Sequence, residues 1–328
     1  MERPAVDWTD FGAHNETQNV APIHDLCVQL MATVRRFGDD RFFLGEAYAP
    51  MAEIAAYYGT REAPQFSMPF NFFLVMNASE YVPSKIAEAV ESYAAAVPRW
   101  GWTNYVMSNH DNSRIATKVG ARHAALPNLL LLTLRGTPTL YYGQELGMED
   151  VPIPIDKVKD PWARRMGVAY GRDPERTPMQ WSCGQHAGFC SNCDPWLPIA
   201  DDYCAARRNV DAQSDDPSSM LRVLKAAISV RRQSEALLHG EQHIFHADDA
   251  TGLLAYRRSA VGSPHAVVAM NWGVARVVAN LTHGFAGRGR AVLSTAEGEY
   301  VRPRIVEMEA VPLEPGEGLL LFAATEQE

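Results

Sequence analysis

The 328-residue sequence predicts an α/β fold: half of a (β/α)8 TIM barrel over residues 1–239, followed by an all-β sandwich domain over residues 240–328. Three observations carry this prediction. Before residue 143 short apolar runs alternate with segments of helical periodicity, the pattern of βαβ units and a parallel sheet. Four such units are visible, whereas a closed barrel takes about 250 residues and twice that number of repeats. After Gly240 the composition turns to short β-rich runs separated by Gly, Pro and Asn, as in an antiparallel sandwich.

The elements follow in order. Pro22 sits where the first turn of a helix accepts proline, and Ile23, Leu26, Cys27, Leu30, Met31 and Val34 recur at helical spacing until Gly38 stops the run. Arg41 to Glu46 reads as the first strand. Pro69 to Val75, rich in Phe70, Phe72, Phe73 and Leu74, reads as the second, and a helix follows from Pro83 through Ile86, Val90, Tyr93 and Val97. Trp102 to Met107 is the third strand, Arg122 to Leu134 an apolar helix, and Thr137 to Tyr142 the fourth strand, which stops at Gly143-Gln144-Glu145. Residues 143–217 form a polar excursion, dense in Pro, Gly, Asp and Arg, expected to wrap a functional site. Ser218 to Leu238 is an amphipathic helix with Leu221, Leu224 and Ile228 on one face and Arg231-Arg232 near its end, where cations suit the dipole. Leu253 to Tyr256, His265 to Met270, Val277 to Leu281, Ala291 to Ser294 and Leu319 to Phe322 supply the strands of the second domain.

Two acids stand at the tips of separate strands: Glu46 closes Phe42-Phe43-Leu44-Gly45, and Asp111 lies in Asn109-His110-Asp111-Asn112-Ser113-Arg114 after the third strand. A single acid at an element end usually serves an ion pair. Two in the same context suggest one catalytic mouth, because residues at the carboxyl ends of parallel barrel strands face the place where chemistry is done. The apolar flank of Glu46 (Phe42, Phe43, Leu44) is expected to raise its pKa by desolvation, which a general acid requires.

Composition narrows the partners. With 47% hydrophobic and 21% charged residues the chain is an ordinary globular protein, and its net charge of −9 argues against nucleic acid or an anionic membrane as partner and suits a neutral ligand such as a sugar. No run approaches the roughly 20 apolar residues of a membrane helix, and Met1-Glu2-Arg3-Pro4 lacks the features of a signal peptide, so the expected location is cytoplasmic. Cys183, His186, Cys190 and Cys193 offer donors that suit zinc, but their spacing is not a paired zinc pattern. Reduced thiols or one local disulfide are expected there, with no metal and no cofactor.

Four motifs, read together, resemble a known family: Gly45-Glu46-Ala47-Tyr48; Asn109 to Arg114; Gly136-Thr137-Pro138-Thr139-Leu140-Tyr141-Tyr142-Gly143-Gln144-Glu145-Leu146-Gly147-Met148; and Gly171-Arg172-Asp173-Pro174-Glu175-Arg176-Thr177-Pro178-Met179-Gln180-Trp181. They are similar to the α-glucosidase and oligo-1,6-glucosidase branch of glycoside hydrolase family 13, the α-amylase family, over nearly the whole chain. The resemblance implies the carboxyl-terminal half of the barrel, strands five to eight, then the β-sandwich. It implies that Glu46 is the general acid/base and that Asp111 holds the sugar's hydroxyls as charge builds, with His110 beside it. It further implies Arg176 at the closed end of a pocket for a non-reducing glucose, with Arg114 and Tyr48 as further substrate-binding residues and an oligosaccharide as substrate. Tyr57 and Tyr58 are weighed as sugar-lining residues or as packing.

The family's nucleophilic Asp, the Arg before it and the early Asp-x-x-x-Asn-His motif have no counterpart here, and residues 1–19 look like the loop just after the family's fourth strand. The aspartate that should pair with Arg176 is then expected in sequence the chain lacks. The leading reading is a truncated α-glucosidase-type retaining hydrolase that turns over little by itself. Two alternatives stand: a glucosyl transferase or isomerase of the same family, and a non-catalytic relative acting as a binding partner.

Overall fold

The computed structural model describes residues 20–76, 81–296 and 304–324; the loop expected over 1–19 lies outside the described residues. Four short parallel strands form one wall: β1 (Leu44–Gly45), β2 (Met68–Pro69), β3 (Asn104–Val106) and β4 (Thr137–Thr139). Leu44 pairs with Met68 and Asn104 with Thr137, and a bridge between Asn71 and Tyr105 joins the two pairs. The strands therefore stand side by side in chain order, as in half of a (β/α)8 barrel.

Helices cover this wall. In α1 (Ala21–Arg35) the apolar face is only half used: Cys27 and Met31 are buried, but Leu26 and Leu30 are 46% and 43% exposed. In α2 (Pro83–Ala96), Ile86, Val90 and Tyr93 all point into the core, and in α3 (Leu126–Thr133) every residue is buried. The excursion after β4 folds mostly as loops and short helices and leads into α4 (Met220–Gln233), started by the Ser219 side chain accepting from Arg222 N.

Two elements differ from the sequence reading. Of the run expected as strand from Pro69 to Val75, only its start pairs, and Phe73–Met76 is helical. Asn71 Oδ1 accepts Phe73 N at 2.9 Å, a local turn that redirects a run whose apolar character alone does not distinguish strand from buried helix. The helix expected to run unbroken to Leu238 stops at Gln233, because the Ser234 hydroxyl caps a separate turn over Glu235–Leu238.

The second region is all β: β5 (Glu241–Asp248), β6 (Leu253–Ser259), β7 (Ala266–Asn271), β8 (Val277–Ala279), β9 (Arg288–Ser294), β10 (Arg304–Glu307), β11 (Val311–Leu313) and β12 (Gly318–Ala323). Six form an antiparallel sheet in the order β10-β9-β12-β7-β6-β5, and β8 pairs with β11. Alternate residues separate two cores. Leu253, Ala255, Val267, Ala269, Leu319 and Leu321 pack with Leu281, Val311 and Leu313 in one cluster, as in a sandwich. Leu254, Tyr256, Val268, Met270 and Leu320 share the other cluster with Leu126, Leu129 and Leu130 of α3. The central strands read as unbroken apolar runs because both faces are covered.

Polar side chains fix this junction. Tyr256 Oη lies 2.5 Å from Thr133 Oγ1, and fully buried Arg258 donates to the carbonyls of Thr133 at 2.6 Å and Gly240 at 2.9 Å. Burial, helped by nearby Arg231, brings the Arg258 pKa down to about 10. Arg231, placed by sequence for its dipole effect, also turns inward: it donates to the carbonyls of Leu132 and Leu134 and to Gly136 O, satisfying groups that the end of α3 leaves open. Among the described residues no helix is long and apolar enough to cross a membrane.

Candidate active site

Glu46 follows β1 directly. Gly45 before it admits no side chain, since a Cβ there would lie 2.0 Å from the Phe66 ring, and its carbonyl accepts Phe70 N at 2.8 Å. The close packing behind the strand leaves Glu46 facing outward and exposed. Phe42 is 66% exposed, so the apolar flank does not enclose the carboxyl as expected. Two residues on, the Tyr48 ring stacks on Phe72 with centroids 4.5 Å apart.

The Tyr48 hydroxyl links the two acids. Burial raises its pKa first, the approach of Asn109 Nδ2 at 3.5 Å lowers it, and the charges of Glu46 and Asp111 raise it again. The charge of both carboxylates is thus felt at Tyr48. Asp111 is held there by a tight turn in which Asn109 Oδ1 accepts Asp111 N at 3.0 Å and Asn112 Nδ2 at 2.9 Å.

Two arginines grip Asp111 from the excursion. Oδ1 accepts Arg176 Nη2 at 2.6 Å and Arg172 Nη1 at 2.9 Å, while Arg176 Nε donates to His110 O at 2.5 Å. His110 Nε2 stands 3.5 Å from Oδ2 and its ring is largely exposed. Among the described residues Arg176 thus has Asp111 as an aspartate partner. The other edge of Arg172 holds buried Asp160, through Nε at 2.8 Å and Nη2 at 3.2 Å. Those bonds hold the Asp160 carboxyl well below the usual carboxylate range, against the opposing effect of burial. Asp160 also caps the following helix, Pro161–Met166, through Trp162 N.

Arg114, expected to meet substrate, lies under the floor. It is 1% exposed, donates to Tyr142 O at 2.6 Å, and its guanidinium stacks beneath the rings of Tyr141 and Tyr142. Tyr57 and Tyr58 are buried at 3% and 0%, with Tyr58 Oη donating to Trp102 O, so both serve packing and not a sugar site. Cys183 is bonded to Cys204, which removes it from the four-donor set considered for zinc.

Beside Arg176 opens a cleft of about 380 Å³ lined by Tyr142, Glu145, Met179, Trp181, Phe189 and Trp196 among others. Tyr142, Trp181, Phe189 and Trp196 are each between 38% and 49% exposed, so this wall is partly open to solvent. Sequence reasoning missed this wall and missed Arg172 and Asp160. Tyr142, Glu145, Arg172, Met179 and Trp181 lie within the third and fourth motifs, and that placement was the available signal.

Acids at the tips of parallel strands, braced by arginines from a long loop and backed by a β domain, define a (β/α)8-barrel chain of the carbohydrate-active kind. The chain belongs to the α-amylase family: residues 1–240 match the family described as Alpha amylase, catalytic domain. It is 32% identical to the salivary alpha-glucosidase of Anopheles gambiae over 95% of this chain and 54% of that protein. It is 30% identical to the amino acid transporter heavy chain SLC3A1 of Rattus norvegicus over 94% of this chain and 44% of that one. Among solved structures, an alpha-glucosyl transfer enzyme, XgtA, superposes with a TM-score of 0.77 at 24% identity, over 93% of this chain and 55% of the other. The chain thus spans about half the length of the curated relatives it matches, and its parallel strands are those of the carboxyl-terminal half of the barrel.

Proposed function

We propose that this chain carries the acid/base and hydroxyl-binding half of an α-glucosidase-type retaining glycoside hydrolase for α-linked gluco-oligosaccharides. The observation that carries the reading is that Glu46 and Asp111 follow the carboxyl ends of β1 and β3, on either side of β2, and the charge of both is felt at the Tyr48 hydroxyl. Retaining cleavage needs one carboxyl that gives its proton to the leaving oxygen and a second that attacks the anomeric carbon. Exposed Glu46 takes the first role. Asp111 accepts hydroxyls of the sugar, and those bonds strengthen as the ring flattens toward the oxocarbenium ion. Arg172 and Arg176 hold Oδ1 of this carboxylate in place, and His110 Nε2 stands 3.5 Å from Oδ2. The attacking carboxylate is assigned to sequence outside this chain.

The aromatic cleft favours a second reading, transfer of the glucosyl group to a sugar acceptor stacked there. A neutral oligosaccharide remains the proposed ligand in both cases. For location, the Cys183–Cys204 disulfide supports an oxidising compartment over the cytoplasm expected from sequence.

The test is release of nitrophenol from an aryl α-glucoside, by this chain and by the protein extended upstream to the length of its relatives. The chain alone is expected to release little. The extended protein is expected to turn over, and Glu46→Gln to lower kcat by about 10²- to 10⁴-fold. Full activity of that variant sinks the assignment.

A further inference from the structure

Two thiols outside the acid site share one exposed turn. Cys190 is partly exposed and Cys193 exposed, in Phe189-Cys190-Ser191-Asn192-Cys193. Cys190 Sγ donates to Cys193 O at 2.9 Å, so the turn already folds the first sulfur back over the second residue. The turn lies inside the 21-residue loop that Cys183–Cys204 closes. Phe189 and Trp196, on either side of the pair, are both walls of the aromatic cleft.

We propose that Cys190 and Cys193 are a thiol–disulfide exchange site, which a small-molecule disulfide such as oxidised glutathione converts to a second disulfide bond. The Cys193 thiolate attacks one glutathione sulfur, forming a mixed disulfide and expelling one glutathione thiolate. Cys190 then loses its proton to water and attacks Cys193 Sγ, forming the ring and expelling the second glutathione. Two protein thiols are oxidised and one disulfide is reduced to two thiols, so electrons and protons balance. A disulfide stabilises more the longer the loop it closes, so Cys183–Cys204 is the structural bond and the short Cys190–Cys193 ring the exchangeable one. Closing the ring shortens the free tether between Phe189 and Trp196 and fixes the outer wall of the cleft.

The test uses the folded full chain in buffers of graded oxidised and reduced glutathione, quenched by alkylation and read by peptide mass spectrometry. The expected product is a peptide two hydrogens lighter joining Cys190 to Cys193, with Cys183–Cys204 intact and buried Cys27 unmodified. The ring is expected to form at roughly tenfold lower oxidant-to-reductant ratio in the folded chain than in urea, since the fold brings the pair together. Cys190→Ser is expected to leave Cys193 carrying a lasting glutathione. Three results overturn the proposal: both thiols still alkylated, glutathione retained on both in the unsubstituted chain, or the same midpoint with and without urea. Exchange of either residue with Cys183 or Cys204 also overturns it.

Discussion

The Arg172 guanidinium is divided between two carboxylates, Asp111 Oδ1 at 2.9 Å on the site side and Asp160 Oδ2 at 2.8 Å on the buried side. Asp160 therefore anchors the arginine that orients Asp111, so the position of the acid proposed to bind sugar hydroxyls depends on a buried residue. In the extended protein Arg172→Ala is expected to lower kcat/KM on an aryl α-glucoside by about 10²-fold, mainly in kcat, as misplacement of a positioned group does. Arg172→Lys is expected to rescue little, because an ammonium cannot span both carboxylates as a planar fork does. Wild-type kcat in both variants would show that Arg176 alone holds Asp111.

The same pair sets an acid limit. Arg172 depresses the folded pKa of Asp160 below the unfolded value of about 3.9. A depressed acid contributes stability in full above its unfolded pKa and loses it as pH falls toward the folded one, so the contribution is whole at pH 7 and fades below about pH 4. Asp160→Asn is expected to cost about 1–3 kcal/mol at pH 7, since it leaves Arg172 without its buried partner. Urea midpoints from pH 7 to pH 3 should show the wild type approaching the variant as pH falls. A constant gap across that range would mean that packing, and not charge, explains the loss.

Glu46 and Asp111 were legible as candidates because each follows an apolar strand run, Glu46 directly and Asp111 a few residues on, a pattern that a sequence displays. Their braces were not. Arg172 and Asp160 lie in an excursion without hydrophobic period, where side-chain meetings are set by loop geometry. The same ambiguity hid the turn at Asn71, since Phe70, Phe72 and Phe73 satisfy a strand and a buried helix equally well. It also made Arg114 look like a ligand: adjacency to Asp111 in sequence says nothing about its guanidinium lying beneath Tyr142. In the β domain the runs were clear, but their division between a sandwich core and the α3 junction depends on which partner covers each face.

Gly45 shows how tightly the strand carrying Glu46 is held. Adding a Cβ places it 2.0 Å from the Phe66 ring, which itself packs against Phe43 and Tyr57. Gly45→Ala is expected to destabilise by about 1–3 kcal/mol, as overpacking of a filled core does. The cost should appear as a lower melting temperature, and Phe66→Leu in the same chain should return part of it. An unchanged melting temperature for Gly45→Ala would mean that β1 shifts freely.

At the junction of barrel and β domain, Leu129 and Gly318 compete for one space. A Cβ on Gly318 would lie 2.7 Å from Leu129 Cδ2 and 2.9 Å from Leu126 Cδ2. Leu129→Ala opens a cavity and is expected to cost about 2–5 kcal/mol, whereas Gly318→Ala overfills the site at about 1–3 kcal/mol. The errors have opposite sign in volume, so the double variant should lose less than the two losses added, by about 1 kcal/mol or more. Urea unfolding of the four chains of this cycle measures that coupling. Strict additivity would show that α3 and β12 do not share this contact in solution, and that the two regions meet less closely than their common core implies.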